Sequence, residues 1–216
     1  MNVVAVVATP KRKGNVADLC NRVLEGAKEN GHTVESVNLY DYEIKDCIGC
    51  WRCVDKEKCV LKDDFEALAE KCRRADVVVL GSPVYWGNVT GRMKTFFDRH
   101  TGVAMVKPKD VRLAHDYEFG RKLKTFIRAI RNMGPYDEWT GKRYIIVTAC
   151  TVPKLPGYLS GDIGTTISAM KIYIKKLKGR CIGKIIYADT LFRFTPKKKA
   201  RLMHRMYKMG KALSGV

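Results

Sequence analysis

Hydrophobic positions along the chain follow two periods, one typical of buried strands and one typical of amphipathic helices. Residues 3–8 form a continuous apolar run, which indicates a strand that is buried on both faces. Between residues 16 and 27 apolar side chains recur every three or four positions. This spacing predicts a helix that ends at Asn30. A second strand is predicted at 33–39, where polar and apolar residues alternate imperfectly.

The same alternation of strand and helix patterns continues to the end of the chain. Asp63 and Glu66 have the spacing of a capping box, which predicts that a helix begins at Asp63. Thr195 and Pro196 predict the start of a last helix, as its N-cap and first residue. The other predicted elements are strands at 76–81, 143–149 and 183–188 and helices at 87–99 and 162–178.

Strands that alternate with amphipathic helices indicate βαβ units and a parallel sheet. Five strands and five helices in this order predict an α/β fold with a flavodoxin-like doubly wound sheet of strand order 2-1-3-4-5. We expect a single domain over 1–216, with a cysteine-rich loop at 47–59 and an insertion at about 103–141. The insertion contains a basic helix pattern at 121–133, and a lid, an oligomer contact and a passive excursion all remain open for it.

The cysteine-rich loop carries the most distinctive chemistry in the chain. Its four cysteines have the spacing C-x2-C-x2-C-x5-C within thirteen residues. An iron–sulfur cluster held by four thiolates needs such crowding, whereas zinc sites more often split their ligands into two distant pairs. Zinc and free or regulatory thiols stay open as alternatives. The candidate ligands are Cys47, Cys50, Cys53 and Cys59.

A polar turn follows the first predicted strand and leads directly into the first helix. Backbone N–H groups at a helix N-terminus, together with hydroxyl and amide side chains, suit a phosphate group. The turn matches neither the dinucleotide-binding nor the P-loop glycine pattern. A plain turn with solvated cations is the alternative. The candidate binding residues are Thr9, Pro10, Lys11, Lys13, Gly14, Asn15 and Val16.

A second candidate loop leaves the third strand at the same edge of the predicted sheet. It offers aromatic rings for stacking and backbone amides for the heteroatoms of a flat, polar-edged ligand. The alternative is a loop whose aromatic side chains cap the core. The candidate residues are Ser82, Pro83, Val84, Tyr85, Trp86, Gly87 and Asn88.

Taken together, these segments resemble the iron–sulfur flavoproteins, within the wider NADPH-dependent FMN reductase group of flavodoxin-like proteins. The resemblance covers residues 1–100, and beyond them only the rhythm of strands and helices continues. Its phosphate loop, S-P-R-x-x-G-N, is similar to 9–15, its cysteine motif and acidic pair to 47–59 with Asp63 and Asp64, and its flavin loop and next helix to 81–88 with Met93, Lys94, Asp98 and Arg99.

The chain departs from this family pattern at several positions. Thr9 replaces serine and Lys11 replaces arginine, which keeps a hydroxyl and a cation but loses the guanidinium fork. Val16 stands where the group usually has threonine or serine, which removes one side-chain contact to phosphate. Residues 148–153 lack the glycine-rich character of a third flavin loop, and the insertion is longer than is usual for the family.

The resemblance implies FMN at the mouth of the sheet and a [4Fe–4S] cluster on the four cysteines of the 47–59 loop. It also implies a homo-oligomer that accepts electrons from ferredoxin. The predicted function is therefore that of an iron–sulfur flavoprotein oxidoreductase, in which the cofactors carry the chemistry and no side chain acts as acid or base. Thr9, Lys11 and Asn15 would hold the phosphate, and 83–88 the isoalloxazine.

A formal net charge of +19, from 41 Lys and Arg against 22 Asp and Glu, favours anionic partners or a highly soluble surface. It would suit an acidic ferredoxin. Two other functions remain open: an NAD(P)H-dependent FMN or quinone reductase without a cluster, and a basic nucleic-acid-binding module with a structural metal. The basic residues of the last helix are Lys197, Lys198, Lys199, Arg201, Arg205, Lys208 and Lys211, but its apolar stripe favours a packed terminal helix.

The apolar runs and the cysteines indicate the cellular compartment of the protein. No apolar run reaches the roughly 18 residues of a membrane helix, and no basic segment precedes the first apolar run. We therefore expect a cytoplasmic protein without membrane contact. Clustered cysteines in a reducing compartment indicate metal or redox chemistry. The isolated Cys20 and Cys72 fit small buried hydrophobic residues.

Overall fold

The structure is a computed structural model that describes residues 1–53, 58–105, 134–190 and 196–214. The predicted basic helix at 121–133, most of the predicted insertion and the N-cap Thr195 lie outside the described residues.

Five parallel strands form one sheet, in the order β2-β1-β3-β4-β5. Every neighbouring pair of strands is parallel, as the alternating pattern predicts. The flavodoxin-like topology is therefore confirmed. The strand bounds are β1 Asn2–Val7, β2 Thr33–Asn38, β3 Val77–Pro83, β4 Arg143–Ala149 and β5 Arg180–Tyr187.

Helices cover both faces of the sheet. One core cluster joins one face of the sheet to α1 and α6, and another joins the opposite face to α2, α3 and α5. Buried strands of this kind read as continuous apolar runs because both of their faces are covered. The helix bounds are α1 Asn15–Glu29, α2 Phe65–Arg74, α3 Gly91–Met105, α4 Lys154–Leu159, α5 Asp162–Lys176 and α6 Pro196–Lys211.

Two helices begin later than their sequence patterns predict. The predicted capping box does not form, because Asp63 Oδ1 accepts a hydrogen bond from the Phe65 amide at 3.1 Å and α2 starts only at Phe65. The third helix begins at Gly91 instead of residue 87 and extends to Met105. Its start is delayed because residues 85–88 form a separate tight turn.

The short helix α4 was missed by the sequence pattern. Its apolar residues Leu155 and Leu159 are 71% and 80% exposed, so no buried stripe marks it as a helix. By contrast, the predicted burial of the two isolated cysteines is confirmed, since Cys20 and Cys72 are 0% and 3% exposed. Burial raises the pKa of the Cys72 thiol to about 12 and also raises the pKa of Cys20.

The terminal helix α6 packs against α1, as its apolar stripe predicts. Met206 and Leu213 are buried, and Lys199 and Lys211 pair with acidic residues of α1. The two helices approach so closely that a Cβ on Gly26 would lie 2.1 Å from a backbone oxygen of α6. In the described part of the chain, no helix is long and apolar enough to cross a membrane.

Candidate functional site

The loops that follow β1 and β3 meet at the point where the strand order reverses. The Ala8 amide donates to the Gly81 carbonyl at 2.7 Å, and Thr90 Oγ1 donates to the Ala8 carbonyl at 3.1 Å. The Thr90 amide in turn donates to Ser82 Oγ at 3.0 Å. These bonds join the two predicted ligand loops into one unit at the carboxyl edge of the sheet, where open α/β sheets bind ligands.

The first loop is held in place by the buried Thr9. Its hydroxyl accepts a hydrogen bond from the Lys11 amide at 3.3 Å, and its carbonyl accepts one from Asn38 Nδ2 at 2.9 Å. Arg12 pairs with Asp41 and is thereby drawn toward the turn after β2. Of the predicted phosphate ligands in this loop, Pro10, Lys11 and Lys13 are exposed, and Gly14 and Asn15 are half-buried.

The N-terminus of α1 offers backbone donors to this loop. Gly14 precedes the helix in an extended conformation, and no side chain caps the first turn. The uncapped N–H groups and the helix dipole suit an anion, with a contribution of about 0.3–1 kcal/mol. Val16 is buried and its side chain packs against Gly81, so only its backbone can face a ligand.

The second loop contains a tight turn with two exposed aromatic rings. Tyr85 and Asn88 exchange backbone hydrogen bonds of 2.9 and 3.0 Å. Trp86 and Gly87 between them have φ values of 49° and 68°, as in a type I′ turn. Tyr85 is 46% exposed and Trp86 is fully exposed, so neither ring caps the core of the described structure.

Two residues of α5 support this turn and were not predicted from the sequence. Thr165 Oγ1 donates to the Gly87 carbonyl, and a Cβ on Gly87 would lie 3.0 Å from the carboxylate of Asp162. Their place at the start of the predicted helix at 162–178 was the signal that could have identified them. Cys150, at the end of β4, is 3% exposed and packs against Ile163, and burial raises its pKa.

The cysteine segment lies between β2 and α2. Cys47 and Cys50 are exposed, whereas Cys53 and Cys59 are half-buried and pack against the core. Burial raises the pKa of the Cys53 thiol, and the nearby thiols of Cys59, Cys50 and Cys47 raise it further. Cys53 and Cys59 thus lie at the edge of the core, while Cys47 and Cys50 lie exposed in the same segment. Residues 54–57 lie outside the described structure.

The donor set of this segment fits a four-iron cluster. It supplies four thiols, which is the ligand set of such clusters. Among the described residues, no three His, Cys, Asp or Glu side chains are close enough together to share one metal ion. A four-iron cluster does not require that arrangement, because each thiolate binds a different iron.

The base of the cysteine segment is closed by hydrogen bonds between residues before and after it. The Glu43 amide donates to Asp64 Oδ2 at 2.8 Å, and the Lys45 amide donates to Asp63 Oδ2 at 2.9 Å. Arg99 of α3 donates two hydrogen bonds to Asp63, from Nη1 to Oδ2 at 2.5 Å and from Nη2 to Oδ1 at 3.0 Å. The side chains of Arg99 and Asp63 are only 1% and 0% exposed.

Asp63 remains ionised in this buried pair. Burial alone would raise its pKa, but the hydrogen bonds from Arg99 and from the amides of Lys45 and Phe65 lower the pKa below its ordinary value. The sequence motif placed Asp63 and Arg99 in matching family segments, but nothing in the sequence indicated that they form a pair. The pair joins the cysteine segment to the helix that follows the second loop.

Comparison with known proteins shows which proteins this chain resembles. Residues 1–113, which include both loops and the cysteine segment, match the NADPH-dependent FMN reductase family. An iron–sulfur flavoprotein of Archaeoglobus fulgidus is 41% identical over 99 residues, 46% of this chain and 48% of the relative. Another, from Methanocaldococcus jannaschii, is 36% identical over 113 residues, 52% of this chain and 57% of the relative. The chain spans about half the length of the curated relatives it matches.

A solved structure with a similar fold extends over nearly the whole chain. The NAD(P)H:quinone oxidoreductase from Methanothermobacter marburgensis aligns with a TM-score of 0.72 at 16% identity, and the alignment covers 98% of this chain and 96% of that one. At this identity the similarity shows the fold alone. The match over residues 1–113, with the sheet topology and the joined loops, shows that the chain belongs to the NADPH-dependent FMN reductase family.

Proposed function

We propose that this protein is an electron-transfer oxidoreductase that holds FMN at the carboxyl edge of the sheet and a [4Fe–4S] cluster on Cys47, Cys50, Cys53 and Cys59. One observation carries the proposal: α3 begins just after the loop predicted to bind flavin, and through Arg99 the same helix binds Lys45 and Asp63, which flank the cysteine segment. Iron–sulfur flavoproteins among the relatives support both cofactors.

The two joined loops would bind different parts of FMN, the first loop its phosphate and the second its isoalloxazine. The uncapped first turn of α1 and the exposed Lys11 and Lys13 supply donors and positive charge for the phosphate. The exposed rings of Tyr85 and Trp86 supply stacking surfaces for the isoalloxazine. Two other predicted flavin ligands, Thr9 and Ser82, are buried and hold the loops in shape.

The cysteine segment would supply one thiolate to each iron of the cluster. When bound, the cluster transfers one electron at a time and FMN accepts one or two, so the pair can connect one-electron and two-electron partners. Within the described residues, the chain's contribution is to bind and position the two groups. No side chain need act as a general acid or base.

Anaerobic purification followed by cofactor analysis tests this function. We expect about one FMN and about four irons with equivalent sulfide per chain, and an absorption spectrum in which a broad cluster shoulder overlies the flavin bands. FMN with fewer than about two irons after anaerobic reconstitution would exclude the cluster and favour the cluster-free FMN or quinone reductase. Iron without flavin would exclude the flavin site.

We further propose that the protein is a cytoplasmic homo-oligomer and that its electron donor is ferredoxin or a similarly acidic carrier. The net charge of +19 supports an acidic donor, and the closely spaced thiols suit a reducing compartment. The large apolar side chains of Trp86, Leu155 and Leu159 are exposed, and an interface between copies of the chain would cover them. Light scattering of the purified protein measures the oligomeric state, and a monomer would contradict this part.

We also propose that residues 1–216 fold as a single domain, with the cysteine loop at 47–59 and the insertion at about 103–141. All five strands belong to one sheet, which supports a single domain. Limited proteolysis that first cuts within 103–141 and leaves one stable remainder would agree with this division. Early cleavage into two separately stable fragments elsewhere would contradict it.

A further inference from the structure

One face of α3 contacts the residues that precede Cys47 and, near its end, Cys53. Arg92, Thr95, Arg99 and Gly102 are spaced three or four residues apart and therefore lie on the same side of the helix. Arg92 Nη1 donates to the Ile44 carbonyl at 2.9 Å, and Arg99 Nη1 donates to the Lys45 carbonyl at 2.7 Å.

The same face of α3 also binds Asp46, the residue directly before Cys47. Thr95 Oγ1 donates to Asp46 Oδ1 at 2.6 Å, so three successive residues ahead of Cys47 are bound by three side chains of α3. A loop residue whose neighbours are fixed in this way loses less conformational freedom when it binds a metal centre. The position of the cysteine segment is thus set by α3.

Gly102 provides the closest contact with a predicted ligand. A Cβ placed on Gly102 would lie 1.8 Å from the Cys53 sulfur, far inside van der Waals contact. Gly102 lies within a helix, so its Cα position is fixed. Any larger residue at this position would force the side chain of Cys53 to move. The half-buried position of Cys53 therefore depends on a glycine at this site.

Arg99 lies on the turn of α3 before Gly102 and binds residues on either side of the four cysteines. Its guanidinium is buried between Asp63 and the Phe65 ring, whose centroid is 4.6 Å from the guanidinium carbon. The Nε–H is buried and has no hydrogen-bond partner among the described residues. Burial alone would lower the pKa of Arg99, but the bonds to Asp63 raise it. A fixed cation with a spare donor thus lies between Lys45 and Asp63, where the chain enters and leaves the cysteine segment.

We propose that Arg99 is a positioning residue for the iron–sulfur cluster, which holds the two ends of the cysteine segment through Lys45 and Asp63 while Gly102 leaves room for Cys53 against α3. The inference rests on the proposed function, because it requires that the cysteines bind a cluster. Hydrogen bonds and positive charge near the sulfur atoms favour the reduced, more negative state of a cluster. Arg99 therefore raises the reduction potential as well as slowing the loss of iron.

The test compares Arg99→Gln with Arg74→Gln in anaerobically purified, FMN-loaded protein. Arg74 is an exposed arginine at the end of α2 that lies at the opposite edge of the sheet, so its replacement removes the same charge away from the cysteines. We measure the cluster potential by redox titration and the rate of cluster bleaching by an iron chelator. Arg99→Gln should lower the potential and speed bleaching on the order of 10–100-fold. Arg74→Gln should change neither quantity.

Two further variants keep the test decisive if Arg99→Gln does not fold with Asp63 left unpaired. Arg99→Lys retains the charge but loses the fork, so it should bleach faster with a nearly unchanged potential. Gly102→Ala should lose iron while keeping FMN, whereas Gly91→Ala, on the same helix with open space around the added Cβ, should keep both. Arg99→Lys and Gly102→Ala proteins that match the wild type in iron content and bleaching rate would overturn the inference.

The outcome for the wild-type protein separates this inference from the proposed function. A wild-type chain without a cluster refutes the function itself. A wild-type chain with a stable cluster, whose potential and bleaching rate are the same in the Arg99 variants, refutes only the role of Arg99.

Discussion

His100 is a buried residue whose ionisation links stability to pH. It is 1% exposed, and its ring lies against Phe65, Phe96, Trp139 and Tyr173. Its Nδ1–H donates to the Phe96 carbonyl at 2.7 Å, and Nε2 has no hydrogen-bond partner among the described residues. Burial lowers the pKa of His100 to about 4, so the ring is neutral in the folded protein near neutral pH.

We expect His100 to destabilise the fold as the pH falls from 6.5 to 4. In this window the unfolded chain binds a proton at His100 and the folded chain does not, so the free energy of unfolding falls by up to about 3 kcal/mol. Urea unfolding at several pH values measures this loss. His100→Phe should remove that part of the pH dependence, whereas His204→Gln, at an exposed position of α6, should leave it. Identical pH profiles for wild type and His100→Phe would contradict the assignment.

Trp86 occupies an unfavourable backbone conformation without packing to compensate for it. It has a φ of 49° and is fully exposed. A left-handed conformation costs a residue other than glycine about 1–2 kcal/mol, and asparagine tolerates it best. Such an aromatic ring at the mouth of the sheet is expected to serve a ligand, since it contributes little to the fold.

Replacing Trp86 with asparagine should therefore separate stability from flavin binding. Trp86→Asn creates the Asn-Gly pair that type I′ turns favour, so the apo-protein should gain about 1 kcal/mol in unfolding free energy. The same change should weaken FMN binding, measured by the quenching of flavin fluorescence. Unchanged FMN affinity in this variant would show that the ring does not contact the flavin.

The α1–α6 pair shows how closely two helices can approach when glycines face each other. A Cβ on Gly26 would lie 2.1 Å from the Tyr207 backbone oxygen, and one on Gly210 would lie 2.0 Å from the Val23 backbone oxygen. Backbone atoms cannot rotate away as a side chain can. The distance between α1 and α6 is therefore limited by these two glycines.

Gly26→Ala should push α6 away from α1 and destabilise the protein by about 1–3 kcal/mol or more. The matched control is Gly164→Ala in α5, where the added Cβ meets open space. Because alanine favours helices over glycine, that control should stabilise the fold by up to about 1 kcal/mol. Thermal unfolding of both variants decides the matter, and equal shifts in Tm would contradict the close contact.

The helix α3 is the element that relates the two candidate cofactor sites. Thr90 precedes it and is tied to both ligand loops, while Arg99 and Gly102 contact the cysteine segment. Any displacement of α3 would therefore affect both sites together. This coupling follows from its position and not from any local property of its sequence.

The net charge acts on the protein as a whole. A charge of +19 attracts an acidic partner over distances longer than any single contact, and salt screens that attraction. We expect the rate of reduction by an acidic ferredoxin to fall at least about tenfold between about 0.05 and 0.5 M salt. Stopped-flow measurements provide the rate, with an uncharged small reductant as the control. A rate that does not respond to ionic strength would argue against an acidic donor.

The sheet was predictable from the sequence because burial on both faces leaves a strong signal. Runs such as Val77–Leu80 and Ile145–Val147 are apolar throughout, and parallel strands require covering helices between them. The start of α3 was not predictable to the same degree. The hydrophobic pattern of the helix reaches back to residue 87. Residues 85–88 nevertheless form a hydrogen-bonded turn, so the irregular segment continues to Thr90 and the helix begins only after it.

The sequence by itself determined the topology, the position of the two candidate ligand loops and the four clustered thiols, because these depend on local periodicity and on spacing along the chain. The three-dimensional arrangement was needed for the contacts between distant residues: the Asp63–Arg99 pair, the close approach of Cys53 to Gly102, and the support of Gly87 by Thr165. For such a contact, the residues next to either partner in the sequence do not indicate which distant residue it will meet. They arise only when the strand order brings the ends of β1, β2 and β3 to one edge of the sheet.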